Sequence, residues 1–256
     1  MRKIFSLFAY LQLIFYLLLI FSLFYFFDLP GFFKLIRLEK TLFSLKLSLI
    51  TATIVTILSV SIAIPSGYVL SRFNIPLKRI IDAILELPLI VSPAALGAMI
   101  LIFFNTPTGE ILKNKGFDVT FTFAGIIVAQ FSATAGIATR LLKSTFDEIP
   151  KRYEEVAKTL GATPFKAFTT VTLPMANRGI YASSILIWAK ALGEFGATIT
   201  VAGTMSMKTE TLPIAIFMSL ARANLEEAVV LILITLLLGV GCIIIFTNLF
   251  NRFEGV

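Results

Sequence analysis

The sequence predicts an all-α integral membrane protein built from six transmembrane helices. Three observations carry that expectation. Of the 256 residues, 57% are hydrophobic and only 14% charged, against about 45–50% and about 25% in soluble domains. Apolar runs of roughly 20 residues recur along the chain, the length a helix needs to cross a hydrocarbon core of about 30 Å. There is no histidine, and the single cysteine, Cys242, lies inside one of those runs. That removes histidine acid–base chemistry, zinc clusters and intrachain disulfides together. A soluble enzyme with one buried core is excluded, and so is disorder. No catalytic, metal-binding or cofactor-binding residue is expected, and the whole chain, 1–256, reads as a single membrane domain.

The spans follow in order. The first, 4–27, comes after Arg2 and Lys3; it is too long for a signal-peptide core and lacks a small-residue cleavage site, so it reads as a retained helix. The second, 47–70, carries Pro65 and Gly67 near its end. The third, 84–104, contains Pro88 and Pro93. The fourth is 121–142, the fifth 180–203 and the sixth 228–250. The chain has a net charge of +7, and its Lys and Arg residues fall mostly on one side. With both termini cytoplasmic, the inner side takes Arg72, Lys78, Arg79, Arg140, Lys143 and the basic residues that follow, as the positive-inside rule asks. A basic first outer loop, with Lys34, Arg37 and Lys40, works against that bias. In this setting the basic excess marks cytoplasmic loops in a bilayer, and no nucleic-acid partner is expected.

The loop from 143 to 179 is longer than a connection needs, which makes it a place to look for function. Pro150 is suited to open a helix, and Asp147 and Glu148 precede it, where the helix dipole favours negative charge. Tyr153, Val156, Ala157 and Leu160 recur at i, i+3, i+4 and i+7, one apolar stripe. Gly161 then stands where a left-handed cap is needed. Thr163-Pro164 reads as a new N-cap and first helical position, with Phe165, Phe168 and Val171 along its apolar face, and Leu173-Pro174 breaks the pattern before the fifth span. Periodicity alone leaves two readings open. The pair of short helices caps the bundle or lies on lipid, or it is a rigid knob presented to a cytoplasmic partner.

Here the residues carry a resemblance. Glu155-Val156-Ala157, three residues, Gly161, nine residues, then Val171-Thr172-Leu173-Pro174 resembles the E-A-A-x3-G-x9-I-x-L-P signature of ABC-importer permeases, with Val156 and Val171 as mild departures. The resemblance implies a type I importer fold in which this loop is the coupling helix, docking on a separate ATP-binding cassette subunit. Glu155, Val156, Ala157, Leu160, Gly161 and Pro164 would then form the ATPase-coupling interface. It also implies a second copy of the chain and an extracytoplasmic oxyanion-binding protein as partners. The chain has no G-x-x-x-x-G-K-[ST] phosphate loop, so ATP and Mg2+ are expected in the partner ATPase, and the chain itself is expected not to be an enzyme.

In the fifth span, Lys190 and Glu194 stand four residues apart and can share a helix face as a mutually neutralising pair, or contact substrate. Gly193, Gly196 and Gly203 permit close helix packing or a local break there. The run Ala191-Leu192-Gly193-Glu194-Phe195-Gly196-Ala197-Thr198 resembles the molybdate/tungstate and sulfate branch of these permeases. Residues 207–216 and Leu87-Pro88-Leu89-Ile90-Val91-Ser92-Pro93 look most like its molybdate/tungstate members. A dianion needs hydrogen-bond donors without a trap. Ser92, Pro93, Ser132, Thr134, Glu194 and Thr198 are therefore the candidates for pathway or gate, although most such hydroxyls are expected to bond their own helix carbonyls. Arg140 and Lys143 either attract an emerging anion or simply mark the inner side. Leu212 to Ala223 is too short to span; it packs on the bundle top, forms part of an outer gate, or both. The expected function is an oxyanion permease in the cell membrane, for molybdate or tungstate. A sulfate/thiosulfate permease is the nearest alternative. A gradient-driven transporter or channel is a more distant one, and would predict paired carboxylates or a broken-helix ion site.

Overall fold

A computed structural model describes residues 2–254, with side chains described for residues 5–242 and 244. Every regular element among the described residues is helical. Arg2, Lys3 and Arg252, whose charges enter the expected orientation, and the chain ends themselves lie outside the described side chains.

Helix α1 (Arg2–Leu23) is apolar on every face and buries none of its window against the rest of the chain, as befits a helix surrounded by lipid or by another chain. After a tight turn at Phe24–Phe26, the short α2 (Leu29–Ile36) starts on Asp28, whose carboxylate accepts the Gly31 N–H at 2.8 Å. Helix α3 (Glu39–Arg72) runs 34 residues through Pro65. At 1.5 Å per residue that is about 51 Å, well beyond a bilayer core of about 30 Å. The expected span 47–70 is thus the middle of a longer rod.

The third span is not one helix. α4 (Lys78–Leu85) and α5 (Leu87–Ile90) give way at Val91-Ser92 to α6 (Pro93–Phe104), and the axis turns by 115°. Ser92 caps the new helix and Pro93 occupies its first turn. The proline sits where a helix can begin and cannot continue, so a span expected to run 84–104 unbroken is re-started instead. After α7 (Pro107–Asn114), α8 (Phe123–Glu148) extends past the expected end at 142.

Helix α9 (Arg152–Thr159) and the one-turn α10 (Pro164–Ala167) form the long loop between the fourth and fifth spans. A wide turn at Phe168–Thr172 leads without interruption into α11 (Leu173–Leu192), which has Pro174 in its first turn. Pro174 therefore ends no helix. It removes one N–H, and the turn before it is the one that loosens to the wider π form. The fifth span breaks as well. Gly193-Glu194-Phe195 separates α11 from α12 (Gly196–Ala202) with a 53° bend. Helices α13 (Leu212–Ala221) and α14 (Leu225–Glu254) complete the chain. The buried Leu212 N–H donates to Ser48 Oγ at 2.7 Å, and Leu212, Ala215 and Leu231 pack together, so α13 is a packed cover against α3 and α14.

The core lies where α3, α8 and α11 meet, around Ala63, Ala138, Leu142, Phe146, Ala176 and Ile187. Lipid tails are as apolar as the helix surfaces, so association rests on close packing, which small residues permit. At Gly67 a Cβ would lie 2.9 Å from the Lys143 backbone nitrogen, and at Gly136 it would strike the Leu85 carbonyl.

Candidate coupling site and the paired breaks

Two places concentrate the residues singled out above. The first is the cytoplasmic knob of α9, Gly161 and α10. Gly161 adopts φ +90°, the left-handed conformation that ends a helix at low cost only for glycine. Thr163 Oγ1 accepts the Lys166 N–H at 3.3 Å and starts α10. The apolar stripe faces outward. Leu160 is 83% exposed, Phe165 75% and Val156 57%, with Tyr153 also exposed. Glu155, Gly161 and Pro164 are exposed and Ala157 is half-buried. All six expected interface residues therefore belong to one projecting knob, and its apolar side chains turn away from the bundle that a capping element would cover.

The carboxylate that the structure buries is the neighbouring Glu154, which sequence reasoning passed over. It is 4% exposed. Arg72 Nε donates to its Oε1 at 2.8 Å, Thr172 Oγ1 donates to the same oxygen at 2.7 Å, and Tyr68 Oη donates to Oε2 at 2.9 Å. Arg72 also donates from Nη2 to the Ile149 carbonyl at 2.8 Å, and Ser71 Oγ to Asp147 Oδ1 at 2.6 Å. Burial by itself pushes the Glu154 carboxyl up. The bonds from Thr172, Arg72 and Tyr68, with the charge of Arg72, outweigh that and hold it below the usual carboxylate range. The only local signal was an acid set off the apolar stripe; Arg72 is 82 positions away and nothing nearby announces it.

The second place is where the two broken spans meet. A Cβ on Gly196 would lie 2.7 Å from Pro93 Cβ, and one on Gly97 would lie 2.7 Å from Thr200 Cβ and 3.0 Å from the Ala197 carbonyl. The break at Val91-Ser92 thus sits directly against the start of α12. Glu194 is 1% exposed. It accepts from Lys190 Nζ at 2.9 Å and from the Ala197 N–H at 3.1 Å, so it both neutralises the lysine and starts α12. The pairing reading of these two residues describes the geometry. Thr198 is fully buried, and its hydroxyl makes no hydrogen bond among the described residues. Ser92 accepts the Ala95 N–H at 3.3 Å. Pro93, Glu194 and Thr198 are brought into this knot. Ser132 and Thr134 lie on α8 and donate to their own helix at Val128 and Gln130, and Thr134 also meets Ser59 at 3.0 Å. They serve helix packing here.

Comparison with known proteins decides the family. Residues 59–254 match the family described as the binding-protein-dependent transport system inner membrane component. The chain belongs to that family. Among its relatives are the probable transport system permease protein NifC of Clostridium pasteurianum, 33% identical over 67% of this chain and 61% of that protein. The molybdenum transport system permease protein ModB of Azotobacter vinelandii is 34% identical over 70% of this chain and 80% of its own length. The sulfate transport system permease protein CysT of Escherichia coli is 31% identical over 72% and 67%. So the chain aligns with less than two thirds of NifC and with most of ModB. A chain of a bacterial alginate ABC importer superposes with a TM-score of 0.74 at 16% identity, covering 88% of this chain and 84% of that one. The fold is therefore that of a type I importer membrane subunit.

Within the permease, the inner cations Arg140 and Lys143 are already paired. Arg140 Nη1 lies 3.0 Å from Glu86 and Lys143 Nζ 2.8 Å from Asp82, tying α8 to α4 and the turn after it. Both meet protein carboxylates, in ion pairs that remain partly open to solvent. The breaks in the third and fifth spans, taken alone, are also what a gradient-driven transporter has. Family membership is what separates the two classes.

Proposed function

We propose that this permease is the membrane-spanning subunit of an ATP-driven importer that moves a tetrahedral oxyanion, molybdate or tungstate, delivered by an extracytoplasmic binding protein. The observation that carries the mechanism is the outward-facing apolar knob built on Val156, Leu160, Gly161 and Phe165. Exposed apolar anchors on a rigid corner, next to well-solvated charges, suit a protein partner better than water. That partner is a separate ATP-binding cassette subunit, which holds ATP and Mg2+. Two copies of the permease and two ATPase subunits make up the assembly, with both permease termini cytoplasmic and residues 1–256 acting as one domain.

The chemistry of the reaction then lies elsewhere, and the permease converts a mechanical input into alternating access. ATP binding draws the two knobs together. The rigid rods α3, α8 and α11 follow, and the paired breaks change their angle. Differential contact with the ATPases in the two arrangements supplies the bias. Lys190 is neutralised by Glu194, so it is not a bare charge that would trap a dianion.

The ion follows from the relatives. Molybdenum permeases from several organisms match at 31–34% identity, while sulfate permeases match at 31%. The test is uptake in cells with and without the gene, reading molybdenum and tungsten by mass spectrometry and labelled sulfate in parallel. Loss of molybdenum or tungsten with sulfate intact is the expected result. Loss of sulfate alone would keep the architecture and overturn the ion.

A further inference from the structure

We propose that Glu154 and Arg72 form the joint through which the cytoplasmic knob moves the membrane helices, with Glu154 as a positioning residue rather than part of the docking face. The inference rests on the coupling role proposed above and adds where the force crosses. The two ends of α9 are held very differently. At its amino end, one carboxylate gathers three donors from two elements: Arg72 and Tyr68 on the last turns of α3, and Thr172 at the entry to α11. Arg72 continues to the Ile149 carbonyl at the end of α8, and its side chain is only 5% exposed. Tyr68 is wedged between Phe146 and Phe168, with ring centroids 5.8 Å and 4.4 Å away. At the other end, a Cβ on Gly161 would meet nothing within 4 Å, and Leu160 stands almost free.

Phe165 is joined to α11 directly through the continuous turn at Phe168–Thr172, whereas a push on α9 at Leu160 reaches α3 through the Glu154 carboxylate, which also ties α9 to Thr172 in that turn. A surface ion pair would slip under load, being weak and solvated. A buried pair whose carboxylate takes three hydrogen bonds cannot separate without leaving a desolvated charge alone, which is costly, so the contact behaves as stiff. The sequence signature marks the acid one position later, Glu155, which is exposed. On this reading the two adjacent acids divide the work: Glu155 on the outer surface, Glu154 inside.

The test is Glu154→Gln in the full complex reconstituted with its ATPase and binding protein, measuring molybdate transported per ATP hydrolysed. A spin label at Lys158→Cys, in a Cys242→Ala background, reports α9 mobility in the permease without any ATPase. The expected result is a complex that still assembles and hydrolyses ATP, with transport per ATP lowered about tenfold or more because Arg72 is left buried and unpaired. Label mobility should rise in the isolated permease too. Tyr68→Phe and Thr172→Val, which keep the ion pair, should give smaller losses in the same order. Unchanged transport per ATP in Glu154→Gln overturns the joint, and so does an unchanged label. Loss of assembly in Glu154→Gln, with no loss of transport per ATP in Tyr68→Phe or Thr172→Val, would reduce the cluster to a folding element and overturn it as well. If the unmodified complex shows no ATP-driven uptake, the proposed function falls, and the joint is then decided by the label alone.

Discussion

The cytoplasmic knob and the paired breaks are both built around a buried glutamate, yet they are held together by opposite means. At the knob, Glu154 reaches α3 and the entry to α11 through charge and hydrogen bonds, and the apolar side chains point out. At the breaks, Glu194 bonds only within its own segment, to Lys190 and Ala197. The contact between segments there is made by Gly97 and Gly196 pressed against α12 and Pro93. The first arrangement is directional and resists separation. The second depends on close backbone approach, so neighbouring segments can shift against each other without stranding a charge. The contrast teaches that a stiff transmission element and an adjustable one can share one chain, each made from what its surroundings allow.

The largest way to break that contrast is to attack the knob's exposed face. Leu160→Asp with Phe165→Asp removes no packing inside the permease, because both side chains are mostly solvent-exposed. Co-purification of an ATPase subunit should nevertheless fall by a factor of about 30 or more, the truncation cost of roughly 2 kcal/mol or greater at an interface hot spot. Retention of the ATPase at wild-type level would show that docking lies elsewhere.

A middle-sized effect is expected at the breaks. Gly196→Val drives side-chain atoms into Pro93 and the Ala94 nitrogen; overpacking of this kind costs about 1–3 kcal/mol. Thermal unfolding in detergent should move down by a few degrees, while ATPase co-purification stays intact. If stability were unaffected, the two broken spans would not be in contact as described.

The smallest effect sharpens the charge side of the comparison. The Glu154 carboxyl is held below its ordinary value of 4.5 in the folded chain. A depressed carboxylate contributes stability that is fully present above the unfolded value and is lost as pH falls through the folded one. The α9 spin label should therefore keep one mobility from neutral pH down to about 4.5 and loosen only below it. In Glu154→Gln that acid transition should disappear; its persistence would assign the titration to another group.

Much of this was legible in the chain, and what was not fails for a consistent reason. Apolar run length predicted where helices lie, and Thr163, Pro164 and Gly161 marked the corner between α9 and α10, because capping and left-handed turns are decided by adjacent residues. The i, i+4 pairing of Lys190 with Glu194 was visible for the same reason. The breaks were legible only in part. Gly193, Gly196 and Gly203 offered a local break in the fifth span as one of two readings, while Pro93 could be read as tolerated within 84–104, since prolines do occur inside membrane helices when neighbours satisfy the freed backbone. Pro65 is such a case, and α3 runs straight through it. Locally, Ser92 offers Pro93 an N-cap that Ile64 does not offer Pro65; from a distance, the start of α12 lies against Pro93.

By itself, then, the sequence determined that this chain is helical and lives in a bilayer, that its longest loop carries two short helices joined at a glycine corner, and that it contains no phosphate-loop motif. These are matters of composition, period and neighbouring residues. Only the tertiary structure decided that Glu154 rather than Glu155 is the buried acid, that Arg140 and Lys143 are already paired, and that two spans break side by side. Each of those depends on which side chain arrives from a distant part of the chain, and the energy of burying a charge or a glycine is settled by that neighbour alone.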